Sequence, residues 1–148
     1  MPDTDKLDAA LRRLRIDCPD LLGALIATEE GLLLASTGEP SGETAAATAS
    51  HLADSLDALV GLLAQASCTE SLLWTEQGLW GAARLPTRHV VMVHAIGQCR
   101  TANLRLALGR LRRDLAQPLT ELAGKPATAA GTGGGFHPVA NPGEERLK

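Results

Sequence analysis

The sequence predicts an α+β domain of order helix, two strands, helix, three strands, helix, which makes a five-stranded, mainly antiparallel sheet with helices on both faces. Three observations lead there. Apolar residues recur at helical spacing in three windows, 3–16, 43–67 and 100–122. Five short apolar or alternating segments lie between them, bounded by Gly, Pro and paired acids. One of these, Val90 to Val93, is apolar without alternation, as in a strand covered on both faces.

Taken in order, Asp3 to Ile16 carries Leu7, Leu11 and Leu14 at spacings of four and three, a short amphipathic helix that Pro19 stops. Leu21 to Thr28 and Leu32 to Ser36 flank Glu29-Glu30-Gly31 and read as a β-hairpin, with Gly31 free to take positive φ. Thr37 to Gly42 is a loop by composition, and Ser41 is placed to cap the next helix. From Glu43 to Ser67, Ala45, Ala49, Leu52, Leu56, Leu59, Val60 and Leu63 fall on one face, so they are the expected buried stripe. Beside it runs a row of small residues, Ala46, Ala53 and Ala64, that lets another backbone approach closely.

Glu70 to Glu76, Leu79 to Leu85 and His89 to Ile96 then form a three-strand meander. A two-residue turn at Gln77-Gly78 sets Trp74 opposite Gly81 and Trp80 opposite Thr75. Arg100 to Leu122 is the last helix, with Leu104, Leu108, Leu111, Leu115 and Leu122 inward, and Pro118 is expected to kink or end it. Residues 1–122 form the domain. Residues 123–148, rich in Gly and Pro, are expected to be a flexible tail.

The composition of these 148 residues narrows function. A chain 45% hydrophobic and 21% charged has a real core and is neither disordered nor fibrous. Only Trp74, Trp80 and Phe136 are aromatic, which argues against base-stacking platforms and sugar clefts. Residues 18–86 carry nine acids against Arg84 alone, whereas residues 87–122 carry six arginines against Asp114 and Glu121. Such separation predicts one acidic and one basic surface. The acidic start and the lack of a long apolar run fit a cytoplasmic protein without membrane insertion.

No catalytic set emerges. The Gly133 to Gly135 cluster follows no strand and precedes no Lys, so it is not a phosphate-binding loop. His89 and His94 lie five apart in one strand and point to opposite faces, which excludes a shared metal, and neither metal nor cofactor is expected. Cys18, Cys68 and Cys99 are far apart in sequence and read as reduced thiols; Cys99 sits where helix N-terminal amides lower a thiol pKa. The arginines of the last helix are not interleaved with aromatics, so nucleic acid is not expected. Function is assigned to a binding surface, and the chain is expected not to be an enzyme.

The stretch from Pro19 to Ser36, PDLLGALIATEEGLLLAS, resembles the opening hairpin of the Roadblock/LC7 family, with its typical PGVxGALVVSxDGLVIAS run. The long Ala-rich helix, the Trp-and-Gly meander and the segment Asn103 to Leu111 (NLRLALGRL) follow as in that family, whose fold is profilin- or longin-like. The resemblance covers residues 3 to about 122 and implies a homodimer joined through the third strand of each protomer, giving a ten-stranded sheet with the long helices side by side. On this reading the interface comprises Ala46, Ala53, Val60, Ala64, Leu72, Leu73 and Trp74. The edge strand agrees, since bare apolar edges are rare in soluble proteins.

Prokaryotic MglB-like members of the family regulate small Ras-like GTPases, and eukaryotic relatives are dynein light chains or scaffolds. The resemblance therefore implies a dimeric regulator that binds a small Ras-like GTPase, with Glu43, Ser50, Asp54 and Gln65 on the outward face of the long helix as partner-binding positions. The alternatives are an adaptor on the same fold with no effect on GTP hydrolysis, and a small-molecule sensor of the PAS or GAF kind. The second requires polar groups converging on a cavity, which the Leu, Ala and Val interior does not offer.

Overall fold

The computed structural model of the chain describes residues 2–124. The elements are α1 (Pro2–Asp17), β1 (Leu21–Thr28), β2 (Leu33–Gly38), α2 (Gly42–Ala64), β3 (Glu70–Thr75), β4 (Gly78–Arg84), β5 (His89–Ala95) and α3 (Thr101–Gly124). The five strands make one antiparallel sheet in the order β2-β1-β5-β4-β3. The element order and α+β class are those expected from the sequence. The flexible tail expected over 123–148 lies outside the described residues, apart from the last two residues of α3.

β5 is the keel of the sheet. It pairs with β1 on one side and β4 on the other, and every residue except His94 is buried. Its side chains divide between two cores. Val91 and Val93 join Ile26 and Leu79 beneath α1 and α3, where Leu7, Leu11, Leu14, Leu104, Leu108, Leu111, Leu115 and Leu119 interlock. Val90 and Met92 join Leu25 and Ala27 beneath α2, where the helix contributes Ala46, Ala49 and Ala53. The uninterrupted Val90 to Val93 run is thus covered on both faces.

The β1–β2 turn is closed by the Thr28 hydroxyl, which accepts the Leu32 amide at 3.0 Å, and Gly31 takes φ +94°. Ser41 occupies the N-cap of α2, but its hydroxyl donates to the Glu39 carboxylate rather than capping the helix amides. α2 ends at Ala64, three residues earlier than the sequence reading, through Gln65 in the left-handed region.

Three further expectations are corrected. The β3–β4 turn is Glu76-Gln77, not Gln77-Gly78, so Trp74 faces Leu79, Trp80 faces Leu73, and Leu72 lies opposite Gly81. The Thr75 hydroxyl selects this register: it accepts the Gln77 amide at 3.2 Å and donates to the Gly78 carbonyl at 3.1 Å. Gly78, at φ +133°, is pressed against the Ala95 carbonyl, where a side chain has no room. The slip is by two residues, so each side chain keeps its face.

Of the two outcomes expected at Pro118, a kink or an end, the structure excludes the end, because α3 continues to Gly124. A mid-helix Pro costs ~3 kcal/mol. Leu115 and Leu119 on either side of it are both fully buried, each worth about 1.5–3 kcal/mol, and their burial holds the helix through it. Leu119 takes the inward place expected of Leu122, which is half-buried.

The last correction concerns the phase of α2. Its buried residues are Ala46, Ala49, Ser50 and Ala53, a face turned by roughly 80° at 100° per residue from the expected stripe. Small residues let α2 settle close to the sheet and to the β1–β2 turn, where a Cβ on Gly31 would lie 3.0 Å from the Ala47 Cα. A direct check is Ala46→Leu, which overpacks this contact. The variant is expected to lose roughly 1–3 kcal/mol of stability in urea unfolding.

Candidate functional site

With alanines against its own sheet, α2 packs Leu52 beside them, sets Leu56 over the β3–β4 hairpin and leaves Leu59, Leu62 and Leu63 outward. Leu52, Leu56, Leu59 and Leu63 follow at spacings of four, three and four, the repeat of a helix-to-helix seam. Leu52 and Leu56 are half-buried, whereas Leu59 is 52% and Leu63 78% exposed, and Leu62 beside them is 86% exposed. Full burial of such a side chain is worth about 1.5–3 kcal/mol, so this stripe is a strong drive toward a partner surface.

The open edge of the sheet, β3, presents its own apolar row. Leu72 packs against the core under α3, Leu73 is 40% exposed on the opposite face, and Trp74 is 64% exposed. Leu73 lies across the ladder from Trp80, whose indole stacks on the His94 ring with centroids 3.9 Å apart. The His94 Nε2 in turn meets the Gln77 carbonyl at 3.1 Å, which holds the stack flat against the hairpin.

Ion pairs fix α2 over this hairpin. Arg84 of β4 reaches the Asp54 carboxylate at 2.6 Å and the Asp57 carboxylate at 3.8 Å. Asp57 also accepts the Cys68 amide at 2.8 Å, tying the helix to the approach to β3. At the far end of the sheet, Arg88, at φ +69°, forks onto the Glu29 carboxylate, and the Ser50 hydroxyl donates to the Glu29 carbonyl. The acidic helix α2 and the arginine-bearing α3 lie on opposite faces of the sheet. Arg105 and Arg112 of α3 meet Glu70, and Arg110 meets Asp17, so much of the basic charge is locally paired.

The residues singled out from the sequence are dispersed by this geometry. Ala46 and Ala53 are buried against the chain's own sheet, which takes them out of a helix-to-helix seam, while Val60 is half-buried and Ala64 exposed. Leu72, Leu73 and Trp74 lie on the open edge as expected of that strand. Of the proposed partner-binding positions, Glu43, Asp54 and Gln65 are exposed. Ser50 is buried and committed to Glu29, so it offers nothing to a partner. The sequence pattern does not single out Leu62 and sets Leu59 and Leu63 inside, whereas all three belong to an apolar arc wider than one sheet face can cover.

Among the described residues no group of three or more His, Cys, Asp or Glu can hold a metal, and no helix is long and apolar enough to cross a membrane. Cys99 does not gain from the start of α3: burial, and Cys18 beside it, push its thiol up to about 11. His89 is buried at the start of β5, with its Nδ1 3.0 Å from the Thr87 hydroxyl. Burial lowers its pKa from 6.5, against the opposing pull of a hydrogen bond to the Thr87 backbone and of Glu30 and Glu29. The unfolded chain therefore takes up this proton first as pH falls. Stability from His89 is complete above pH 6.5 and declines below it, toward the lowered folded value. Acid titration of urea midpoints is expected to show a shallower loss below pH 6.5 in His89→Gln than in the parent chain.

No family model and no curated protein matches the sequence. Solved structures do. Myxococcus xanthus MglB superposes with a TM-score of 0.73 at 16% identity, over 82% of this chain and 92% of that one. An MglB with a tetrameric arrangement gives 0.73 at 17% identity, over 82% and 93%. A Roadblock/LC7 domain from Streptomyces avermitilis gives 0.65 at 17% identity, over 76% and 97%. At such identities the likeness is one of fold, and the chain has the α+β fold of the MglB and Roadblock/LC7 proteins.

Proposed function

We propose that the chain is a homodimeric, non-enzymatic regulator of a small Ras-like GTPase, working in the cytoplasm through a surface that two protomers build together. The observation that carries the dimer is the exposed cluster of Leu59, Leu62 and Leu63 near the end of α2, together with the open β3 edge. Pairing β3 with its counterpart satisfies the edge amides and carbonyls and joins two sheets into one. The same step brings the α2 leucines of two protomers together, which the alanine row of one protomer no longer can do. The tetrameric arrangement of an MglB of the same fold supports self-association of this architecture.

The GTPase reading rests on the likeness to MglB together with a surface suited to a protein partner. The outer face of α2 offers a shallow hollow of about 470 Å³ among Glu43, Thr44, Ala47, Thr48 and His51, away from the leucine seam. The hollow between α2 and the hairpin, lined by Ala53, Leu56 and Ala82, holds only about 10 Å³, too little for a small-molecule ligand at that place.

Two measurements test the reading. Light scattering at micromolar concentration is expected to give the mass of two protomers, and Leu59→Glu with Leu63→Glu is expected to weaken the dimer by roughly 100-fold or more. A protomer mass for the unmodified chain overturns the dimer. The small GTPase that co-purifies with the chain is expected to change its GTP hydrolysis or nucleotide exchange when the dimer is added, and Ala47→Arg is expected to abolish that effect. Binding without any change in either rate leaves the adaptor.

A further inference from the structure

Two of the three cysteines, 81 residues apart in sequence, meet in the fold. Cys18 closes α1, its amide donating to the Leu14 carbonyl at 2.9 Å, and its carbonyl accepts the Leu21 amide at 3.0 Å. Cys99 closes the turn before α3, its amide donating to the Ile96 carbonyl at 3.0 Å. The two turns are joined by the Ile96 amide, which donates to the Asp20 carbonyl at 3.0 Å. They form one hydrogen-bonded corner at the end of the β1–β5 ladder. Inside it both side chains are buried and their sulfurs stand 4.0 Å apart.

The geometry points to Cys18 and Cys99 as an intramolecular disulfide site, formed by exchange with a small disulfide and reversed by thiols. The sulfurs stand 4.0 Å apart and need to close by about 2 Å to reach bonding distance. The exchange balances. One cysteine sulfur attacks the reagent disulfide and releases one reagent thiolate, and the other cysteine sulfur then attacks the mixed disulfide and releases the second. The two cysteine protons end on the two reagent thiols, the reagent is reduced by two electrons and the protein is oxidised by two.

The thiols are slow to react in the resting fold, because burial and mutual contact hold Cys99 protonated at neutral pH. Opening of the corner sets the rate. Once formed, the link ties the end of α1 to the start of α3, the two helices that share one face of the sheet. A link closing so long a loop restricts the unfolded chain strongly.

The test uses the full chain carrying Cys68→Ser, which removes the remaining cysteine of the sequence. After incubation with bis(2-hydroxyethyl) disulfide at mildly alkaline pH, the expected products are a chain mass lower by two hydrogens, no thiol titratable in denaturant, and a proteolytic fragment joining the Cys18 and Cys99 peptides. The thermal midpoint should rise by on the order of 10 °C and return on adding dithiothreitol. Two free thiols, two reagent adducts per chain, or a link between chains each overturns the assignment. An equal rise in a Cys18→Ser, Cys68→Ser chain overturns it as well. The outcome does not depend on the dimer or on a GTPase.

Discussion

The close contact between the alanine face of α2 and the sheet decides most of what this protein presents to its surroundings. Ala46, Ala49 and Ala53 allow the helix to lie near Leu25, Ala27, Val90 and Met92. A helix has one rotational phase, so committing small residues inward commits larger ones outward. The exposed Leu59, Leu62 and Leu63 are the consequence. The energetic arrangement is unusual for an isolated globule, since larger apolar side chains remain in water while methyl groups are buried.

The opposite face of the sheet follows ordinary rules. Leucines of α1 and α3 interlock above the keel strand β5, and their burial is sufficient to carry a proline through the middle of α3. This asymmetry separates the two sides in packing. The α1 and α3 side is a finished core, and four of the seven arginines on these helices pair with Glu70, Asp17 or Asp114. The α2 and β3 side is unfinished, in both apolar surface and backbone pairing.

Much of the fold was legible in the sequence because periodicity and turn chemistry are local. The hairpin around Gly31, the keel at Val90 to Val93 and the order of the eight elements all follow from short windows. The β3–β4 register was less legible, because Thr75 and the Ala95 carbonyl beside Gly78, both outside the Gln77-Gly78 pair, select it. The candidate site was legible only as far as the strand edge at Leu72, Leu73 and Trp74. Ser50 illustrates the limit: its hydroxyl is claimed by the Glu29 carbonyl, 21 residues away and on another element.

By itself the sequence determined the order of the helices and strands and which strand is covered on both faces. Tertiary structure decided which of two apolar stripes on α2 meets the sheet. A helix with alanines on one arc and leucines on the next satisfies the same periodicity either way round. The choice depends on how closely the sheet and the Gly31 turn approach, a distance that no local pattern encodes. It decided in the same manner that Cys18 and Cys99 share a corner, because that meeting is made by the pairing of β1 with β5 and not by any spacing along the chain.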